Sequence, residues 1–389
     1  MKKILLTILI VSTILLPLPS FAATKLMYTG WIPFWKQSPG SMDIALNLEK
    51  LSEVSPFSYE VKSNGTLVDV LKITKGFWPG WISAVKDQKI KIIPTIAWFD
   101  GDAIHALLSN KKKRIAHEDA IKKLVQTNKF DGIDIDYEAK LADTNQYFAL
   151  FIEGLAIRLH PLGKKLVCTI EPRMPISSRL NRTNTADDTK YANDYKALNR
   201  YCDEVRIMAY DQGVIDAKLD VSKGNGQVYA PVADPEWVKK IITEATKIIS
   251  PKKIVLGVPT YGYEYEVSWA NGRTTYKRLR SHTFFQAMSR ADDLSANPER
   301  NSAGELSFVY STSTSVTNVS PNLTWNISST LPGAIASASA GGKFVRYVSF
   351  SDAESARQKI DLAKKLGLKG IALFKLDGDL DPMTWEVMK

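Results

Sequence analysis

Short runs rich in β-branched and aromatic residues alternate along this chain with segments whose apolar positions recur at helical spacing. The strand-like runs lie at Lys25 to Trp31, Glu53 to Tyr59, Ile90 to Ile96, Gly132 to Glu138, Lys165 to Ile170, Glu204 to Tyr210, Lys253 to Pro259 and Gly370 to Lys375. Helical periodicity falls at Asp119 to Gln126, Asn145 to Leu159, Asp234 to Ile249 and Ser351 to Leu366. Eight strands separated by helices predict an α/β fold, a parallel (β/α)8 TIM barrel. The spacing breaks once. Between Tyr263 and Ser351 about ninety residues intervene, far more than a barrel loop needs. They hold strand-like runs at Tyr261 to Trp269 and Leu306 to Tyr310, a helix over Thr283 to Arg290 and a returning run at Lys343 to Phe350. This predicts a small α+β insertion after strand seven, on the barrel's C-terminal face. Its Ser/Thr/Gly-rich stretch, Ser311 to Gly342, reads as loop. The chain thus divides into a leader at 1–22, barrel strands one to seven at 23–263, the insertion at 264–350, and the last barrel helix, strand eight and a C-terminal helix at 351–389.

One strand carries an unusual burden. Phe130-Asp131-Gly132-Ile133-Asp134-Ile135-Asp136-Tyr137-Glu138 alternates carboxylates with apolar residues. Side chains alternate faces along a strand, so Asp134, Asp136 and Glu138 share one face while Ile133, Ile135 and Tyr137 take the other. Like charges this close resist ionising together, so one of the three should hold a proton near neutrality. Glu138 comes last, where barrel strands open into their catalytic loops, and a raised pKa there suits a general acid. A calcium loop needs a turn glycine and polar intervening residues, and β-branched residues stand there instead. The sixth run ends similarly, in Met208-Ala209-Tyr210-Asp211. Strand-end aromatics such as Trp31, Trp98, Tyr261 and Phe374 could stack on the apolar faces of sugars or pack the core.

Composition narrows the setting. The 389 residues are 44% hydrophobic, enough for a large core, with net charge +10. Lys2 and Lys3, the apolar run Ile4 to Leu16, and Ser20-Phe21-Ala22 predict a secretory leader cleaved after Ala22, and no later run is long enough to span a membrane. The positive charge favours anionic surfaces such as wall polymers. The run Lys111 to Arg114 reads as a solvated helix face, and nothing resembles a nucleic-acid module. Cys168 and Cys202 could be bridged or free. The four histidines lack metal-ligand spacing, so neither metal nor other cofactor is expected.

The acidic run matches the D-x-x-D-x-D-x-E signature of glycoside hydrolase family 18 through Asp131, Asp134, Asp136 and Glu138, and the chain resembles that family's chitinase-like barrels over nearly all of its length. Met208, Tyr210 and Asp211 match a second motif of the family. Gly30 to Trp35, Val54 to Phe57 and Phe350 to Ala353 are similar to a bacterial branch of spore-cortex and cell-wall N-acetylglucosaminidases, although its lysin-motif repeats are missing. The resemblance implies a substrate-assisted mechanism on an N-acetylglucosamine polysaccharide, peptidoglycan or chitin. Glu138 would be acid and then base. Asp136 would hold the 2-acetamido N–H, Asp134 would share a proton with Asp136, and Tyr210 would donate to the acetamido oxygen. Met208, Asp211, Trp31, Trp98, Tyr261 and Phe374 would bind sugar, and Asp131 and Gly132 would serve the strand's structure. Phe374 stands where the family usually has tryptophan. A lectin-like barrel without turnover, or an endo-acting enzyme on N-glycans, are the alternatives. Chain-end or internal cutting and the oligomeric state are not legible.

Overall fold

Eight parallel strands close into a barrel in this computed structural model, which describes residues 26–179, 190–224, 228–270, 273–311 and 345–388. The first seven are β1 (Met27–Ile32), β2 (Glu53–Val61), β3 (Thr95–Trp98), β4 (Gly132–Tyr137), β5 (Lys165–Ile170), β6 (Glu204–Ile207) and β7 (Ile254–Pro259). Five further strands follow: β8 (Tyr261–Ala270), β9 (Arg273–Thr283), β10 (Glu299–Arg300), β11 (Leu306–Ser311) and β12 (Val345–Phe350). The chain then completes the barrel with β13 (Gly370–Phe374). β13 lies between β1 and β7, and β1 also pairs with β2, which closes the ring. Strands covered by helices outside and side chains inside must be apolar nearly throughout, and β7 is buried at every position.

The outer helices form where the apolar spacing predicts. In α3 (Asn145–Leu159), Phe148, Phe151, Ile152, Leu155 and Leu159 recur on one face and are all buried, each contributing roughly 1.5 to 3 kcal/mol. α5 (Pro235–Thr246) starts behind Asp234, whose carboxylate accepts from the Glu236 N–H at 2.7 Å. α7 (Ala353–Lys365) starts behind Asp352, which accepts from the Ser355 N–H at 3.0 Å. These are ordinary N-caps.

Three readings change. The helix expected from Asp119 is α2 (Lys111–Thr127), because the Asn110 side chain caps it upstream through the Lys113 N–H. Lys111, Lys112 and Lys113 are exposed there, while Arg114 turns inward to the Leu108 carbonyl. Strand three is split at Pro94, which has no N–H to give a ladder, leaving Lys91–Ile92 and β3 on either side. The insertion also contains β9, which pairs with β8 along its length. Lys277, Arg278 and Arg280 break any apolar alternation there. The resulting sheet is antiparallel, in the order β9-β8-β12-β11-β10. Arg300 on β10 reaches Asp352 with two hydrogen bonds, 2.9 and 2.6 Å, joining this sheet to the cap of α7. The leader read at 1–22 and the stretch after Ser311 read as loop lie outside the described residues. Among those described, no helix is long and apolar enough to cross a membrane. A Cys168–Cys202 disulfide, left open by the sequence, ties β5 to the chain entering β6.

Candidate active site

Register decides which side chains look into the barrel. Asp136 lies beside Ala97 of β3 and Thr169 of β5, and Thr169 beside Arg206 of β6, so this row faces inward. Asp134 is fully buried, and four strands supply donors to it. The Trp31 indole and the Thr95 hydroxyl donate to Oδ2 at 2.9 Å each, Thr169 to Oδ1 at 2.7 Å, and Arg206 approaches Oδ2 at 3.4 Å. Among the described residues no hydrogen bond joins Asp134 to Asp136. Both Asp134 oxygens are instead occupied by donors from other strands. Arg206 itself is held by Glu53 at 2.8 Å and Ser55 at 2.7 Å, and Lys165 bridges Glu53 and Glu204, so charged pairs fill the barrel beneath the acidic row.

Asp136 is 4% exposed, and its Oδ1 has no partner among the described residues. Burial, with Glu138 and Asp134 adding to it, pushes this carboxyl well above the ordinary range. Glu138, half-buried at the strand's end, is pushed up to about 7, first by burial and then by the negative charges of Glu171 and Asp211, with Lys140 opposing. Tyr210 is buried, and burial with the surrounding carboxylates raises its phenol further, keeping it a donor. Asp211 follows in a left-handed conformation, φ 62°, and accepts from the hydroxyls of Tyr261 and, at 2.8 Å, Tyr263.

A cavity of about 360 Å³ opens over this group. Glu60, Asp136, Glu138 and Asp211 supply its charge, and Trp31, Trp35, Phe57, Phe99 and Phe374 supply its apolar walls, with Met208 and Tyr210 also on its surface. Phe374 stacks on Tyr210 with ring centres 5.3 Å apart and planes at 10°, and meets Trp31 edge-on at 6.0 Å. Phe57 and Phe99 are nearly parallel at 6.5 Å.

Two expected sugar contacts fall elsewhere. Trp98 pairs in register with Tyr137 and therefore shares its outward side. It is 2% exposed, edge-on to Tyr137 at 5.4 Å, under the helices. Tyr261 stands behind the wall, against Asp211, Tyr210 and Phe374. Asp131 and Gly132 have structural positions. Asp131 accepts from the Ile92 N–H at 2.9 Å, and a Cβ on Gly132 would meet the Lys165 carbonyl at 2.5 Å. Sequence reasoning missed Phe99, Glu60, Thr169, Lys140 and Glu171. Thr169 was legible, since it sits one strand over from the acidic row. Glu60 lies on β2 without a flanking acidic pattern, and Phe99, Lys140 and Glu171 lie just past strand ends, where loop geometry decides their places. Among the described residues no group of three His, Cys, Asp or Glu side chains is arranged to hold a metal ion.

Residues 41–379 match the family described as Glycosyl hydrolases family 18. A curated relative, an uncharacterized glycosylase of Bacillus subtilis (YvbX), is 28% identical over 169 residues, 43% of this chain and 44% of that protein. The chain spans about half the length of the curated relatives it matches. The spore cortex-lytic enzyme SleL of Bacillus megaterium QM B1551 shares the fold with a TM-score of 0.68 at 20% identity, over 95% of this chain and 75% of that one. A class V chitinase from Pseudomonas fluorescens Pf-5 gives 0.68 at 19% identity, over 93% of this chain and 98% of that one.

Proposed function

This chain belongs to glycosyl hydrolase family 18, and from that membership we propose that it is a secreted hydrolase of β-1,4 linkages following N-acetylglucosamine, with peptidoglycan as substrate ahead of chitin. One observation carries the reading: Glu138, its carboxyl pushed up to about 7, stands at the rim of an aromatic-walled cleft that also holds the buried Asp136, whose Oδ1 has no partner among the described residues.

The chemistry follows from what each group is free to do. Asp134 is enclosed by donors and cannot act as a nucleophile toward a sugar in the cleft. Asp136 is suited to accept the N–H of a 2-acetamido group, turning that group's oxygen toward the anomeric carbon. The acetamido oxygen then attacks as Glu138 gives its proton to the leaving oxygen, and Glu138, now a base, activates the water that opens the oxazolinium ion. Tyr210, held as a neutral phenol against Phe374, donates to the acetamido oxygen. The flat Phe374 ring forms the floor, smaller than an indole and without its N–H.

The preference for wall glycan draws support from the net charge of +10, which suits an anionic wall, and from the spore cortex-lytic relative. The leader-like N-terminus and the Cys168–Cys202 bridge support a place outside the cytoplasm. Mass spectrometry of products after incubation with isolated peptidoglycan and with chitin oligomers, beside E138Q, tests this. Muropeptides ending in N-acetylglucosamine, released by the native protein alone, are expected. Chitobiose alone would make chitin the substrate. Cleavage of cellulose without cleavage of either would overturn the mechanism, because that polymer has no acetamido group.

A further inference from the structure

The residue after Glu138 is held in a way that an ordinary strand end does not require. Ala139 has φ 55°, a left-handed conformation that costs a non-glycine residue about 1 kcal/mol or more. Three contacts impose it. The Ala139 N–H donates to Glu171 Oε1 at 3.0 Å. The Ala139 carbonyl is pressed against Gly101, the first residue of α1 (Gly101–Leu108), where a Cβ would lie 2.1 Å away. Lys140, whose side chain is 0% exposed, donates to the Tyr137 carbonyl, lies 3.2 Å from Glu171 Oε2 and sits 4.9 Å over the Phe148 ring. Glu171 is held in turn by Asn193 at 3.0 Å, and the Asn193 carbonyl by Arg173 at 2.6 Å. Arg173 is sandwiched between Tyr191 and Tyr195 at 3.8 Å each. A buried ammonium costs several kcal/mol unless paired, so this assembly is not a solvated surface pair.

We propose that Lys140 and Glu171 are a pair of positioning residues, an ion-pair clasp across the turn after Glu138 that aims its carboxyl at the leaving oxygen and balances the charge around it. The proposal rests on the hydrolase reading above. The charged and titratable groups facing Glu138 come from three strands: Asp136 on its own strand with Lys140 just beyond, Glu171 after β5, and Asp211 with the Tyr210 phenol after β6. Within that set the two clasp members act on Glu138 with opposite sign, Glu171 strengthening and Lys140 weakening its hold on the proton. Glu171 itself is kept below the usual carboxylate range by Lys140 and Asn193 despite its burial.

The opposite signs give the test. Protein labelled with carbon-13 at the glutamate δ-carbon is titrated by NMR, with E138Q assigning the resonance, for the wild type, E171Q and K140M. In parallel, kcat and KM are measured against pH on a soluble N-acetylglucosamine oligomer. The Glu138 titration should move down in E171Q and up in K140M, each by roughly one unit, with the alkaline limb of activity moving the same way. KM should stay within about twofold while kcat falls about tenfold or more. Gly101→Ala, which changes no charge but crowds the Ala139 carbonyl, should lower kcat with the Glu138 titration unmoved. Shifts of the same sign, an unmoved titration in E171Q, or full kcat in G101A and E171Q would overturn the clasp. Should K140M not fold, the direction of shift in E171Q decides alone. A wild type that cleaves nothing defeats the hydrolase reading, and the NMR titration still decides the clasp.

Discussion

At the scale of single residues, the site is a set of carboxylates kept different from one another by their neighbours. Glu138 must be protonated to act as an acid, and with its proton leaving at about pH 7, kcat/KM should decline as pH rises through that value. E138Q cannot give a proton, so its rate should fall roughly 10² to 10⁴-fold, and a loss under about tenfold would remove Glu138 from that role. The same group predicts a stability change. A carboxyl with a raised folded-state pKa holds its proton in the folded chain when the unfolded chain has lost it, so its contribution fades as pH rises from about 4.5 to about 7. The melting temperature of E138Q relative to wild type should therefore increase across that window, and a flat difference would contradict the raised pKa. Thr169→Val removes one of the donors to the fully buried Asp134 at nearly constant volume and should cost about 1 to 3 kcal/mol in urea unfolding.

At the scale of elements, what could be read from the sequence was what repeats. The acidic strand, the apolar runs around it and the face of α3 follow periods of two and 3.6, and each forms where those periods put it. Trp98 shows how one position can be misjudged even when its strand is found. It stands at a strand end like Trp31, but pairs with Tyr137, so the pleat sends it outward. β9 was invisible because its charged residues face solvent and carry no apolar rhythm. Glu171 and Lys140 were invisible for another reason: their meeting depends on a loop from β4 and a strand end from β5 whose closeness no local pattern encodes. The Cys168–Cys202 link is also an element-scale feature. It closes a segment of sequence separation 34 that contains α4 (Tyr195–Tyr201). Replacing both cysteines with serine should lower stability by about 4 kcal/mol on the loop-closure argument, measured by denaturant midpoint. An unchanged midpoint would mean that the link adds nothing to the fold.

At the scale of the molecule, charge is unevenly divided. The chain carries +10 overall, yet the cleft is lined by Glu60, Asp136, Glu138 and Asp211, with no lysine or arginine on its surface among the described residues. Adhesion and hydrolysis should therefore respond differently to salt. Retention on isolated anionic wall should fall steeply between about 0.05 and about 0.5 M salt, while kcat/KM on a neutral oligomer changes less than about twofold. A parallel fall of both would place the cationic surface within the catalytic encounter. The insertion touches the cleft through its root. Tyr261 and Tyr263, the first and third residues of β8, both bind Asp211. Anyone grafting this sheet onto another barrel, or trimming it away, inherits a splice rule from those two phenols. A junction drawn after Tyr263 transplants a shape, whereas one drawn before Tyr261 also exchanges the two phenols that bind Asp211 in its left-handed turn at the cleft.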